Sequence, residues 1–181
     1  MMIKTSIRKK LILWIFVLSL LFLCGCSKPE ATAPKTTTSP SPLFVRFSSD
    51  VVKASAASAS LSAGGTVDAV VTLSISTGYH VNANPATYSY LIATEVSANK
   101  DESIVPGTPV YPTAVKRKFQ FADEPLAVYE GDAQIKLPLR AEANAAKGTH
   151  TLPLSIRIQA CDEEKCFPPD TLRTQIAVEV K

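Results

Sequence analysis

The chain has 181 residues, 46% of them hydrophobic and 19% charged, so it can bury a real core and is too apolar for wholesale disorder. Its 7 glycines follow no period, which excludes collagen-like and most glycine-rich repeat architectures. The net charge of +3 and the 4 cysteines suggest nucleic-acid binding, a zinc site or two disulfides, but the N-terminal residues change both counts.

Residues 1–25 have the pattern of a lipoprotein signal peptide. Four basic residues precede an apolar run from Leu11 to Leu23, which is short for a membrane-spanning helix but typical of a secretory signal. The sequence Leu23-Cys24-Gly25-Cys26 resembles the bacterial lipobox, so we expect cleavage before Cys26 and lipidation of Cys26. An uncleaved anchor helix is the alternative.

The next residue indicates where the lipid anchor would lie. It is Ser27 and not Asp, so in a Gram-negative cell the lipobox resemblance implies the periplasmic face of the outer membrane. In a Gram-positive host the anchor would lie in the outer face of the cytoplasmic membrane. We therefore expect a lipid-anchored protein of the bacterial cell envelope.

Removal of the signal peptide changes the charge and the cysteine count. Four of the 19 Lys and Arg residues lie in 1–25, which leaves 15 against 16 Asp and Glu, a net charge of −1. Without a basic tract we expect no nucleic-acid partner. Cys24 is removed and Cys26 is acylated, so Cys161 and Cys166 remain as thiols in an oxidising compartment.

The rest of the chain divides into a tether, residues 26–42, and a folded domain, residues 43–181. The tether is rich in Pro, Ser and Thr, which predicts a disordered linker reaching roughly 50 Å. In the domain, apolar and polar residues alternate over 67–75, 133–139, 152–158 and 172–180, as in strands that bury one face.

The middle of the domain is less regular. Residues 91–96 and 104–111 indicate weaker strands, and residues 114–124 indicate a loop. No convincing helical stripe is present after residue 43. About seven or eight short strands predict an all-β fold, an immunoglobulin-like antiparallel β-sandwich.

The remaining cysteines are separated by four residues, directly after the strongest predicted strand. A hairpin turn can bring their Cα atoms within the usual disulfide span of about 4.4–6.8 Å. From spacing alone a structural disulfide is favoured over a redox pair, and both stay open. Zinc would also need His80 and His150, in no standard ligand spacing, so we expect no metal.

Three motifs in order resemble the N-terminal periplasmic domain of the DsbD family of thiol:disulfide interchange proteins. They are Gly78-Tyr79-His80-Val81-Asn82, Val128-Tyr129-Glu130-Gly131 with the strand that follows, and the segment 159–169, QACDEEKCFPP. The resemblance covers residues 45–180. It implies an immunoglobulin-like fold in which Cys161 and Cys166 exchange between dithiol and disulfide, without a cofactor.

The resemblance also implies partners. In that family the domain takes electrons from a thioredoxin-like domain and passes them to disulfide isomerases and cytochrome c maturation factors. We therefore expect thioredoxin-like envelope proteins and a separately encoded membrane electron conduit as partners, and no small-molecule substrate. Whether the chain acts as a reductase-type electron carrier or as an immunoglobulin-like binding lipoprotein with a static disulfide stays open.

A cap over the disulfide is a further implication. The best-studied member has one more residue between its cysteines, and its cap loop carries an acidic pair and a Phe. Residues 114–125, named here the cap segment, are the counterpart that we expect. The candidates for capping or partner binding are Phe119, Phe121, Asp123, Glu124, Tyr79, His80 and Phe167. Tyr88, Tyr90 and Tyr111 are further partner-site candidates, although packing is the commoner role of such residues.

The charged residues between the cysteines predict that the two thiols react slowly as nucleophiles. Three acidic residues and one Lys separate them, and nearby carboxylates raise thiol pKa values. A partner's thiolate can instead attack the disulfide. This pattern favours a carrier that reacts with docked partners and with little else.

Overall fold

The computed structural model describes residues 47–99 and 101–181. The predicted signal peptide, the predicted lipidation site Cys26 and the whole of the predicted tether lie outside these residues. Within them, the chain forms one 3₁₀ turn, Ser48–Asp50, and twelve strands. The strands are β1 (Val52–Ala56), β2 (Ala59–Leu61), β3 (Thr66–Ile75), β4 (His80–Asn82), β5 (Glu95–Ala98), β6 (Ile104–Pro106), β7 (Val115–Arg117), β8 (Leu126–Tyr129), β9 (Asp132–Ala141), β10 (Gly148–Ile158), β11 (Ala160–Cys161) and β12 (Asp170–Val180).

The strands form three four-stranded sheets. Sheet A has the order β1-β3-β9-β6, sheet B the order β2-β12-β10-β5, and sheet C the order β11-β4-β8-β7. Every paired strand is antiparallel except β2, which lies parallel to β12 at the edge of sheet B. Among the described residues, no helix is long and apolar enough to cross a membrane.

The long strands bury the residues that the alternation predicts. Sheets A and B contribute their inward side chains to one core, because residues two apart on a strand share a face. Its central members are Val71, Leu73, Ile135, Leu137, Leu139, Leu152, Leu154, Ile156, Ile176 and Val178. The predicted all-β, immunoglobulin-like sandwich is therefore confirmed, with sheet C added at one end.

The irregular middle of the domain differs from the prediction. The expected strand at 91–96 begins only at Glu95, because the backbone of Ile92 hydrogen-bonds instead to the side chains of Asn82 and Gln159. The expected strand at 104–111 ends at Pro106 and returns as a single bridge at Val110. The predicted loop at 114–124 contains β7, whose residues are all exposed and therefore show no alternation.

The cysteine segment extends from the longest hairpin of the fold. Strands β10 and β12 pair over eleven positions, from Gly148 opposite Val180 to Ile158 opposite Asp170. Residues 159–169, named here the cysteine hairpin, connect these strands beyond the end of that ladder. The site is thus attached to the most extensively paired part of sheet B and lies against sheet C.

Candidate functional site

Cys161 and Cys166 form a disulfide with an S–S distance of 1.99 Å. Cys161 ends β11 and lies directly opposite Cys166 in an antiparallel bridge, with their Cα atoms 3.9 Å apart. Cys161 is 0% exposed, whereas Cys166 is partly exposed. The two sulfur atoms are therefore unequal in their access to a partner.

The first acidic residue of the loop organises the turn. The Asp162 carboxylate accepts hydrogen bonds from the backbone N–H groups of Glu164 and Lys165, both at 2.8 Å. The Asp162 N–H in turn donates to the Lys165 carbonyl at 2.9 Å. This side chain is thus an Asx-type turn former, a role that its position in a four-residue loop permits.

Ser48 fastens the base of the cysteine hairpin. Its buried hydroxyl donates to the Pro168 carbonyl at 2.8 Å and accepts from the Ala160 N–H at 2.9 Å. One hydroxyl therefore connects the two chain segments that flank the disulfide. No motif in the sequence marked this residue, which lies more than 100 positions away along the chain.

The glycine–aromatic–histidine motif places His80 beside the disulfide. Gly78 has φ +86°, a conformation that suits glycine and turns the chain into β4. In the ladder of β4 and β11, His80 lies directly opposite Cys161. The histidine is 2% exposed, and burial is the main reason that its pKa falls from 6.5 to about 4. The imidazole is therefore neutral at neutral pH.

The cap segment covers this histidine with aromatic rings. Phe119 is buried and stacks on the His80 ring, with 4.0 Å between centroids and 19° between planes. Phe121, 39% exposed, stacks on Phe119 at 5.4 Å. The Lys118 ammonium donates to the carbonyls of Ala122 and Asp123 and so closes the turn that begins at Lys118.

An open groove beside Cys166 connects this partly exposed residue to solvent. It has a volume of about 390 Å³ and is formed by the cap segment, the cysteine hairpin and the loop before β5. Its lining residues are Tyr90, Leu91, Phe121, Ala122, Leu126, Gln159, Glu164, Lys165 and Cys166. Tyr90 is 73% exposed and stacks on Tyr88 at 5.1 Å, so an aromatic pair lies at the rim.

The structure places the predicted site residues in three different environments. His80, Phe119 and Phe121 lie together near the disulfide, whereas Asp123 and Glu124 are exposed on the cap segment and do not line the Cys166 groove. Tyr79 and Phe167 pack against each other at 6.0 Å and join the core. Tyr111 also packs, and its hydroxyl accepts from the Val96 N–H.

No pattern in the sequence predicted a network of amide hydrogen bonds around Gln159. Gln159 Oε1 accepts hydrogen bonds from the Asn82 side chain and from the Ile92 N–H, each at 3.2 Å. Gln159 belongs to the cysteine hairpin, so the network connects it to the loop that carries Tyr90.

As for metals, no cluster of three or more His, Cys, Asp or Glu residues lies in the described part of the chain. His150 is on β10, where its Nε2 is 2.8 Å from the Ala146 carbonyl.

The chain matches one protein family over most of its length. The model of that family, described as "Thiol:disulfide interchange protein DsbD, N-terminal", matches residues 48–177. The match includes both cysteines, His80 and the cap segment. Among curated proteins there is no significant sequence match.

Several solved structures have a similar fold. The DsbD N-terminal domain of Neisseria meningitidis in the reduced form is 18% identical, with TM-score 0.46, over 71% of this chain and 86% of that chain. The N-terminal periplasmic domain of ScsB from Proteus mirabilis is 14% identical, with TM-score 0.41, over 67% and 44%. The seventh ScaB type I cohesin from Pseudobacteroides cellulosolvens is 8% identical, with TM-score 0.45, over 75% and 93%.

Proposed function

Since the chain belongs to the family of the DsbD N-terminal domain, we propose that it is a thiol:disulfide exchange protein of the bacterial envelope. It passes two electrons through Cys161 and Cys166 to or from thioredoxin-like partners. A membrane module, comparable to that of DsbD, supplies or receives the electrons. The observation that carries this proposal is the unequal exposure of the two sulfur atoms beside an open groove.

Burial determines which sulfur is attacked. A partner's thiolate approaches through the Cys166 groove and forms a mixed disulfide with Cys166, while the Cys161–Cys166 bond breaks. Cys161 leaves with the electron pair of the broken bond and takes up a proton. The partner's second thiol then attacks its own cysteine in the mixed disulfide and releases Cys166. The partner is oxidised by two electrons, and this chain is reduced by two.

The Cys166 groove supports a protein partner over a small molecule. Its exposed Tyr90 and Phe121 provide aromatic surface of the kind that is enriched in protein interfaces. Glu164 and Lys165 add one charge of each sign at the edge.

We also propose that the chain is tethered to a membrane through Cys26. The lipobox resemblance and the Pro-rich segment 27–42 support this. The test is metabolic labelling of cells with a tagged fatty acid. Incorporation into the wild type, together with none in Cys26→Ser, is expected. Equal labelling of both proteins, or none of the wild type, would contradict the anchor.

The redox function is tested by trapping and by potential. Cys161→Ser keeps Cys166 free and removes the thiol of this chain that could resolve a mixed disulfide. Under mild oxidation we expect a stable adduct with an envelope thioredoxin-like protein whose own second cysteine is also replaced by Ser, because neither protein can then resolve the bond. The matched control is Cys166→Ser, whose remaining Cys161 is buried and should give little or no adduct. A reduction potential above about −300 mV is expected for a working pair.

The opposite results would favour the binding lipoprotein. A potential below about −300 mV, with no adduct in either variant, is the behaviour of a structural disulfide. The function would then reduce to that of an immunoglobulin-like binding module in which the cysteine hairpin is merely closed.

A further inference from the structure

A buried imidazole lies next to the buried cysteine. His80 and Cys161 are directly opposite residues of the antiparallel ladder between β4 and β11. Side chains at such positions project from the same face, with Cβ atoms about 4.5–5.5 Å apart. The exposed fractions are 2% for His80 and 0% for Cys161, so water has little access to either group.

One nitrogen of that imidazole is unused. Among the described residues, Nε2 of His80 has no hydrogen-bond partner, although it is buried. Such atoms are rare in folded proteins, and each calls for an explanation. Phe119 stacks on the ring and covers one of its faces. A disulfide sulfur has no proton to donate, whereas a reduced Cys161 has an S–H group. A donor for Nε2 therefore arises when the disulfide is reduced.

We propose that Nε2 of His80 accepts a hydrogen bond from the Cys161 S–H group in the reduced protein and takes up that proton when the disulfide re-forms. The proposal rests on the proposed exchange function and assigns the base for one of its steps. In that step Cys166 is joined to an electron acceptor by a mixed disulfide. The Cys161 sulfur attacks the Cys166 sulfur, the internal S–S bond forms, and the acceptor's cysteine leaves as a thiolate. The Cys161 proton passes to Nε2 and then to the departing thiolate or to solvent.

The charges around His80 favour a neutral pair over an ion pair. Burial lowers its pKa most; the Glu130 and Asp162 carboxylates oppose this shift, and the Arg117 guanidinium adds to it. His80, Arg117 and Glu130 line one cleft of about 240 Å³, and Glu163 lines it too. These carboxylates also disfavour a thiolate at Cys161. A neutral thiol and a neutral imidazole are the result, which leaves the imidazole able to take a proton.

The first experiment uses nuclear magnetic resonance on the wild-type chain. The sequence has 2 histidines, so ¹⁵N labelling of histidine in the untagged full chain, in detergent micelles, gives two resolved rings. Reduction with a phosphine should move His80 to the pattern of an accepting Nε2 and a protonated Nδ1. His150, whose Nε2 already contacts the Ala146 carbonyl, is the internal control and should not change. Identical His80 signals in both redox states would overturn the proposal.

The second experiment measures the step itself. Reduced protein is mixed with glutathione disulfide, and acid-quenched samples are analysed by mass for the glutathione adduct and for the internal disulfide. In His80→Gln and His80→Phe, loss of the adduct should be at least about tenfold slower at pH 7, while its formation is unchanged. His150→Gln should match the wild type. Unchanged resolution in both His80 variants would refute the role of the base.

The two proposals fail in different ways. If the wild-type protein does not cycle with glutathione and the Cys161→Ser trapping experiment also gives no adduct with a thioredoxin-like partner, the exchange function is wrong. If wild type cycles and the His80 variants cycle equally fast, only the assignment of His80 is wrong.

Discussion

Ser48 is one side chain outside every motif that holds the cysteine hairpin in place. Its hydroxyl both donates to and accepts from the chain segments on either side of the disulfide. The hydroxyl is buried, so its loss leaves the Ala160 N–H without this partner in the protein interior. The 3₁₀ turn that precedes β1 therefore connects the two ends of the cysteine hairpin.

Ser48→Ala should lower the free energy of unfolding by about 1–3 kcal/mol, the cost of leaving a buried polar group unsatisfied. The measurement is urea unfolding of the oxidised protein. Ser60→Ala, at an exposed position of β2, is the matched control and should change stability by less than about 0.5 kcal/mol. Equal effects of the two substitutions would mean that Ser48 is not an anchor.

His80 should make stability depend on pH in a definite direction. Its pKa in the folded protein is about 4 and its ordinary value is 6.5, so between these values the unfolded chain binds the extra proton. Stability is therefore fully present above about pH 6.5 and falls as the pH is lowered towards 4. The loss should be on the order of 1–2 kcal/mol, since one pKa unit corresponds to about 1.4 kcal/mol and part of the shift is screened.

The measurement is urea unfolding from pH 4.5 to pH 7.5 in the wild type and in His80→Phe. The difference between the two curves isolates the histidine from the other titrating groups. A difference that does not vary with pH over this interval would contradict the buried, neutral imidazole.

At the scale of elements, the cap segment has a small core of its own. Phe119, Ala122, Leu126 and Val128 form a buried cluster that is separate from the main core, with Tyr88 and Leu91 packed against it. Segments with few shared contacts open locally at lower free energy than the core. We therefore predict that the cap segment opens at a lower free energy than the sandwich unfolds.

Phe121→Ala should increase the rate at which dithiothreitol reduces the disulfide by several-fold, because the outer ring of the stack borders the Cys166 groove. The rate is followed by trapping free thiols. Val110→Ala removes another exposed apolar side chain, from a residue that forms a single bridge with Lys136 of sheet A, and should leave the rate unchanged. A Phe121→Ala rate equal to that of the Val110→Ala protein would show that the ring shields nothing.

The same elements show what the sequence can and cannot predict. Ile135 and Leu154 lie on long strands whose alternation repeats often enough to predict their burial. β7 is three exposed residues and β11 is two buried ones, so neither contains an alternation to detect. The motifs identify Cys161 and His80 separately as candidate site residues. That the two residues pair directly depends on the register between β4 and β11. Register is set by the hydrophobic pattern of the strands and by turn geometry, and strands as short as β4 and β11 contain too little pattern to predict it.

At the scale of the whole molecule, stability comes from the sandwich and little from the disulfide. The main core is formed by sheets A and B, whereas the disulfide closes a loop with a sequence separation of 5. On the loop-entropy estimate so short a loop contributes roughly 2 kcal/mol. Reduction should therefore leave the protein folded, as a reversible carrier requires.

Thermal unfolding of oxidised and reduced protein tests this. Both forms should unfold in one cooperative transition, with the reduced form less stable by roughly 2 kcal/mol. Leu154→Ala, in the main core, should cost about 2–5 kcal/mol in either redox state. Loss of the cooperative transition on reduction alone would show that the disulfide is an essential structural element.

The stacked Tyr88 and Tyr90 also give the molecule an optical property. The chain has a single Trp, at position 14 within the predicted signal peptide, so tyrosines are the fluorophores of residues 47–99 and 101–181. Tyrosine emission overlaps tryptophan absorption, and a partner with a Trp near its reactive cysteine would quench the rim tyrosines by energy transfer. Association with the Cys166 groove can then be followed in real time, without a label, even when both proteins lack the cysteines that exchange.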